Sequence, residues 1–131
     1  MTIYRLSLSE RWRDRERREA MLKSTMTVVR DALVITPDVR RLDAMVAGEF
    51  RQSAVGAVGT HTRMVVVLTG VKSMDSSGLG ALVSILKALP PGGKLFLVGA
   101  QPAVRSLLAV TRLDKVFPLF DTVEAALGET P

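Results

Sequence analysis

Met64-Val65-Val66-Val67-Leu68 is an unbroken apolar and β-branched run with no polar alternation. A strand with one wet face alternates, so this run predicts a strand buried on both faces at the centre of a sheet. Downstream, Leu79, Leu82, Val83, Leu86 and Leu89 fall at spacings of three and four, one apolar face of a helix. The link between them is Met74-Asp75-Ser76-Ser77-Gly78-Leu79-Gly80. Asp and Ser are preferred helix N-caps because their side-chain oxygens accept the first, unpaired amide hydrogens. Gly78 and Gly80 lack a Cβ and admit close approach of a backbone, a phosphate or a partner. The plainer reading of Ser76 and Ser77 is helix capping. The sharper one is a hydroxyl that carries a phosphate beside free amides at the positive end of the helix.

The flanking sequence fits strands and helices in alternation. Thr25 to Thr36 predicts two short strands about an Arg30-Asp31 turn, the second ended by Pro37. Asp38 is expected to cap a helix with Leu42, Met45, Val46 and Phe50 on one face, and Ala54 to Thr62 to form a glycine-rich connection. Pro90-Pro91-Gly92-Gly93 is a stop, followed by a strand at Lys94–Gly99. Pro102 suits the first turn of a helix bearing Val104, Leu107, Leu108 and Thr111. Val116 to Phe120 predicts a short edge strand, and Asp121 to Glu124 a capping box for a brief helix, Val123 to Leu127. The expectation is a single α/β domain, a mixed central sheet of about four or five strands with helices packed on it. The Asp75–Gly80 loop then lies at the carboxyl end of a central strand, where open α/β sheets place binding sites.

Charge and composition narrow the function classes. Net charge is +5. Residues 1–24 hold seven basic against four acidic residues, +3 of that total. They read as a basic N-terminal tail or extra helix, with the domain proper at 25–131. The body is close to neutral, which argues against direct DNA binding. With no cysteine there is no disulfide framework or thiol chemistry. No apolar run is long enough for a membrane span, and the simplest expectation is a cytoplasmic protein. Met74 to Gly78 lacks the glycine a nucleophile elbow needs two residues before its serine. His61, the single histidine, has no acidic or cysteine neighbours and reads as a loop residue. No zinc-ligand spacing, dinucleotide fingerprint or phosphate loop is present, so no metal, no cofactor and no enzyme is expected.

Asp75-Ser76-Ser77-Gly78-Leu79-Gly80, after a hydrophobic strand and before a leucine-rich helix, resembles the signature of STAS-domain anti-sigma factor antagonists. The Lys94–Gly99 strand, the helix about Leu107 and Leu108, and Val116-Phe117 follow in the family's order. The resemblance covers roughly Thr25 to Leu127. It implies a STAS fold and a partner switch. Unphosphorylated protein binds an anti-sigma factor with serine-kinase activity and frees the sigma factor; phosphorylation of Ser76 ends the binding, and a phosphatase could reset it. Asp75, Ser77, Gly78, Leu79 and Gly80 would form the switch loop. The family often carries Gly-x-Leu-Asp after the second strand. Here Pro37-Asp38-Val39-Arg40 stands in that place, so Asp38 and Arg40 join the candidate partner-binding residues, and regulatory detail differs. The chain is expected to be a monomer or weak homodimer. The alternative is a STAS accessory subunit of a non-sigma assembly, such as a lipid-transport complex.

Overall fold

A computed structural model describes residues 24–128; the reading of residues 1–24 as a tail or extra helix lies almost wholly outside them. The chain starts as a hairpin of β1 (Ser24–Val29) and β2 (Ala32–Pro37). It turns at Arg30 and Asp31, both at positive φ (48° and 71°). Two successive positive φ values give the mirror-image turn whose twist matches a two-residue hairpin. A two-residue strand, β3 (Arg41–Leu42), leads to helix α1 (Ala47–Ala57). The run about Val65 becomes β4 (Arg63–Val67), followed by another two-residue strand, β5 (Ser73–Met74). Then come helix α2 (Ser76–Ala88), β6 (Lys94–Val98) and helix α3 (Pro102–Val110). A 3₁₀ turn at Leu113–Lys115, β7 (Leu119–Phe120) and helix α4 (Val123–Gly128) complete the fold.

Five strands form one sheet in the order β1-β2-β4-β6-β7. β1 is antiparallel to β2, while β2, β4, β6 and β7 are parallel, so the sheet is mixed. β4 is central, as its unbroken apolar run predicts. Its Met64, Val65 and Val66 have no exposed surface. One sheet face carries Leu33, Ile35, Met64, Val66, Leu95 and Leu97 into the main core beneath the three longer helices. The other carries Ala32, Val34, Val65, Phe96 and Val98 against Ala126 and Leu127 of α4. On that side Phe96 and Phe120 meet edge to face, 5.6 Å between ring centres at 87°. Such a pair adds roughly 0.5–1.5 kcal/mol beyond the area it buries.

Several local expectations are corrected. Asp38 caps nothing: α1 begins at Ala47, and Asp43 organises the turn before it. The Asp43 carbonyl accepts from the Val46 and Ala47 amides (3.1 and 2.8 Å), and its carboxylate from the Met45 amide (3.1 Å). Leu42 belongs to β3 rather than a helix, and Met45 stands 85% exposed. The glycine-rich stretch from Ala54 is helical as far as Ala57 and a turn beyond it: Phe50, Ala54 and Val58 are buried against the core, and packing outweighs the poor propensity of Gly56. The edge strand is confined to Leu119–Phe120; Leu113–Lys115 and Val116 before it form a turn. Thr122, not Asp121, caps α4, its hydroxyl accepting from the Ala125 amide at 3.0 Å. Asp121 instead meets exposed Arg105 at 3.3 Å.

Candidate functional site

The loop between β5 and α2 is built by Asp75. Its backbone is extended (φ −114°, ψ −172°), and its side chain turns onto the helix that follows. Oδ1 accepts from the Ser77 amide at 2.8 Å and the Gly78 amide at 3.2 Å. Oδ2 accepts from the Ala44 amide at 3.3 Å, in the turn ahead of α1. One carboxylate therefore caps α2 and ties it to a turn 31 residues earlier. This corrects the expectation of free amides awaiting a phosphate: among the first amides of α2, those of Ser77 and Gly78 are already held by Asp75.

A two-strand parallel ladder supports the loop from below. β3 pairs with β5, Arg41 opposite Ser73 and Leu42 opposite Met74. The Arg40 carbonyl accepts from the Lys72 and Ser73 amides at 2.7 and 3.2 Å. Gly78 lies over this ladder so closely that a Cβ would stand 2.3 Å from the Leu42 carbonyl oxygen and 2.5 Å from Met74 Cγ. The first glycine of the motif is thus required by the chain's own backbone. Gly80 is different: it is exposed, and a Cβ there would meet nothing within 4 Å.

Of the candidate residues, Ser76 is the first residue of α2 and is exposed. Ser77 is half-buried and lines a 350 Å³ groove between α1 and α2, with Gly80, Ser84 and Arg51. Gly78 and Leu79 are buried, Leu79 in the main core. Asp38 and Arg40, both exposed, line a separate 610 Å³ cleft with Arg41, Asp43 and Met45. The structure therefore gathers Asp75, Ser76, Ser77 and Gly80 on one surface and puts Asp38 and Arg40 in the neighbouring cleft. Sequence reasoning missed Ala44, whose amide the Asp75 carboxylate holds, and Asp43, which shapes the turn that presents it; no periodic pattern marks a turn of this kind.

His61 sits among the connections at the amino ends of the parallel strands, the opposite end of the sheet from Ser76. Its Nδ1 lies 2.9 Å from the Asp31 carbonyl oxygen. Among the described residues no group of three metal-ligating side chains is found, and no helix is long and apolar enough to cross a membrane.

The family model of the STAS domain matches residues 23–126. The chain belongs to the STAS domain family. A protein of Thermotoga neapolitana, provisionally named an anti-sigma factor antagonist, is 37% identical over 70 residues. That match spans 53% of this chain and 62% of the relative's length. The crystal structure of a Thermotoga maritima protein with the same provisional name superposes with a TM-score of 0.75 at 27% identity, over 85% of this chain and 97% of that one. The anti-sigma factor antagonist SpoIIAA in its unphosphorylated form gives 0.69 at 24% identity, over 79% of this chain and 92% of that one, a likeness of fold alone. The relatives in sequence are thus named, provisionally, as anti-sigma factor antagonists, and the mixed α/β architecture of this STAS chain is that of the solved structures.

Proposed function

We propose that this chain is an anti-sigma factor antagonist switched at Ser76. Unphosphorylated, it binds an anti-sigma factor with serine-kinase activity and so frees the sigma factor. The kinase transfers the γ-phosphoryl of ATP to Ser76 Oγ: the new O–P bond forms as the bond to ADP breaks, and the hydroxyl proton passes to a base on the kinase. A phosphatase would reverse the state. The reading implies action in the cytoplasm, no direct DNA contact and no enzymatic activity of its own.

The observation that carries the proposal is the exposure of Ser76 on a rigidly held helix start. A kinase must reach the hydroxyl from solvent, and Ser76 offers that where half-buried Ser77 offers less. Asp75 already occupies the Ser77 and Gly78 amides, so a phosphate on Ser76 has no need to displace the cap and would project outward. Its charge of about −1.5 to −2 then acts on the partner rather than on the fold. Gly78 and Leu79 hold the loop in place from inside, and Gly80 leaves its surface bare.

The test incubates the protein and ATP with purified serine-kinase anti-sigma factors of the source organism and maps the modified serine by mass spectrometry. Phosphate on Ser76 is expected. Ser76→Ala should stay bound in the presence of ATP, and Ser76→Asp should bind weakly. Phosphate on Ser77 alone would move the site by one residue. Phosphate on neither serine, with binding unchanged by ATP, would overturn the partner switch and leave a constitutive STAS subunit as the reading.

A further inference from the structure

The five-stranded sheet ends differently at its two sides. At one side the outer strand β7 is two residues long and follows Pro118. Short edges and prolines are devices by which a sheet avoids accepting another strand. At the other side β1 runs for six residues, Ser24–Val29, and uses no such device. It holds no proline and no charge, although 24% of the chain's residues are charged. Its register with β2 is unbroken, without a bulge. Thr25, Met26, Thr27 and Val28 are all exposed.

The register fixes which groups are open. Val29 and Ala32 close the two-residue turn as a hydrogen-bonded pair, and bonded and non-bonded pairs then alternate along the hairpin. Val29, Thr27 and Thr25 bond to β2. Val28, Met26 and Ser24 point their amides and carbonyls away from β2, toward the free edge. Pro37, opposite Ser24, fits this alternation, because its pair exchanges no bonds and it has no amide hydrogen to give. Among the described residues these outward groups find no other partner. Side chains divide in the same way. Met26 and Val28 stand opposite Ile35 and Leu33, which enter the main core, and remain 38% and 57% exposed at its margin. Thr25 and Thr27 stand on the other face.

We infer that β1 is the contact of a homodimer. A second copy of this chain adds its β1 antiparallel, about a two-fold axis at Met26, and joins the two five-stranded sheets into one. Met26 then lies opposite Met26 of the second copy, Ser24 opposite Val28, and Thr25 opposite Thr27. The pairs at Ser24, Met26 and Val28 are those whose outward groups meet, and each exchanges two hydrogen bonds. Self-complementarity selects this occupant, since a two-fold contact lays one patch against itself. An uncharged strand does so without like charges facing each other. Threonine opposite threonine is a favourable cross-strand pair, and the methionines cover the margins of both main cores. β1 supplies no residue to the Ser76 surface, so the dimer stands apart from the partner switch.

The test is sedimentation velocity of the full chain over a concentration series, with a monomer–dimer equilibrium expected for the wild type. Met26→Pro removes the donor of both central bonds, while the β2 ladder survives because that amide faces the free edge. It should weaken dimerisation by about tenfold or more. Thr25→Lys with Thr27→Lys sets lysine opposite lysine on both sides of the axis and should weaken it by about as much. Thr25→Lys with Thr27→Glu sets opposite charges there and should hold the dimer at least as well as wild type. Melting temperatures, taken at a dilution where the wild type is monomeric, should match in all variants. A wild type that is monomeric at every concentration would overturn the second copy and leave the edge to residues 1–23 or to a strand of another protein. A dimer that survives both Met26→Pro and the lysine pair would lie on another surface and overturn the contact. Equal loss in the two charge variants would overturn the two-fold at Met26.

Discussion

The carbonyl oxygen of Leu42 occupies the space a β-carbon on Gly78 would need, 2.3 Å from where that carbon would be built. Backbone cannot yield as a flexible side chain can. Gly78→Ala must therefore lift the start of α2 off the β3–β5 ladder, at a cost of roughly 1–3 kcal/mol from overpacking. Gly80→Ala meets open space and should stabilise by about 0.4–1 kcal/mol, as alanine reduces the freedom of the unfolded chain. Urea unfolding of the two variants side by side checks this. Equal effects would mean that the motif's glycines are interchangeable within the fold.

Asp75→Ala removes the acceptor of three backbone amides. Loss of the helix cap alone costs about 0.5–2 kcal/mol. Asp75→Asn keeps a carbonyl oxygen in place and should recover most of that. Thermal unfolding with hydrogen exchange at the Ala44, Ser77 and Gly78 amides reads both terms. Unchanged protection of those amides in Asp75→Ala would show that the carboxylate does not hold them.

Leu82 has no exposed surface and faces the main core from the middle of α2. Leu82→Ala should destabilise by roughly 2–5 kcal/mol. An effect below about 0.5 kcal/mol, measured by chemical denaturation, would contradict this burial.

The hairpin turn offers a stabilising change. Asp31 at φ 71° lies in the left-handed region, which costs a non-glycine residue roughly 1–2 kcal/mol. Glycine removes that cost while adding about 0.5–1 kcal/mol of unfolded-state entropy. Asp31→Gly, with Arg30→Asn to complete the preferred pair, should gain on the order of 0.5–1 kcal/mol. The Arg63 side chain and His61 bond to the backbone carbonyls of Arg30 and Asp31, so those contacts survive the change. A lowered melting temperature would refute the prediction.

What the sequence disclosed follows from which signals are local. The buried run at Val65 and the leucine spacing of α2 are long, periodic patterns, and both elements appear where they are expected. Capping depends on the next three residues, so a cap at this loop was legible. The sequence offered Asp75, Ser76 and Ser77 alike; Asp75 takes the role, accepting from the Ser77 and Gly78 amides. The β3–β5 ladder was not legible. Two residues paired with two others, about thirty positions later, leave no period to detect. The start of α1 was misread because Asp38 resembles a cap, while Asp43 makes the actual bonds after the chain has first passed through β3. Gly56 disguised the last turn of α1, Ala54 to Ala57, as a connection; burial of Ala54 in the core overrides it. Ser77 and Ser76 look alike in the sequence, and only their different exposure separates them.

The β3–β5 ladder makes the Asp75–Gly80 loop a poor cassette for transplantation. Its height above the sheet is set by Leu42, and one of its three anchoring amides comes from Ala44. A chimera that exchanges residues 73–80 alone would inherit a host turn cut for a different loop. The unit to graft is discontinuous, residues 40–46 with residues 72–80, and a graft of both should preserve the melting temperature where a graft of either one lowers it.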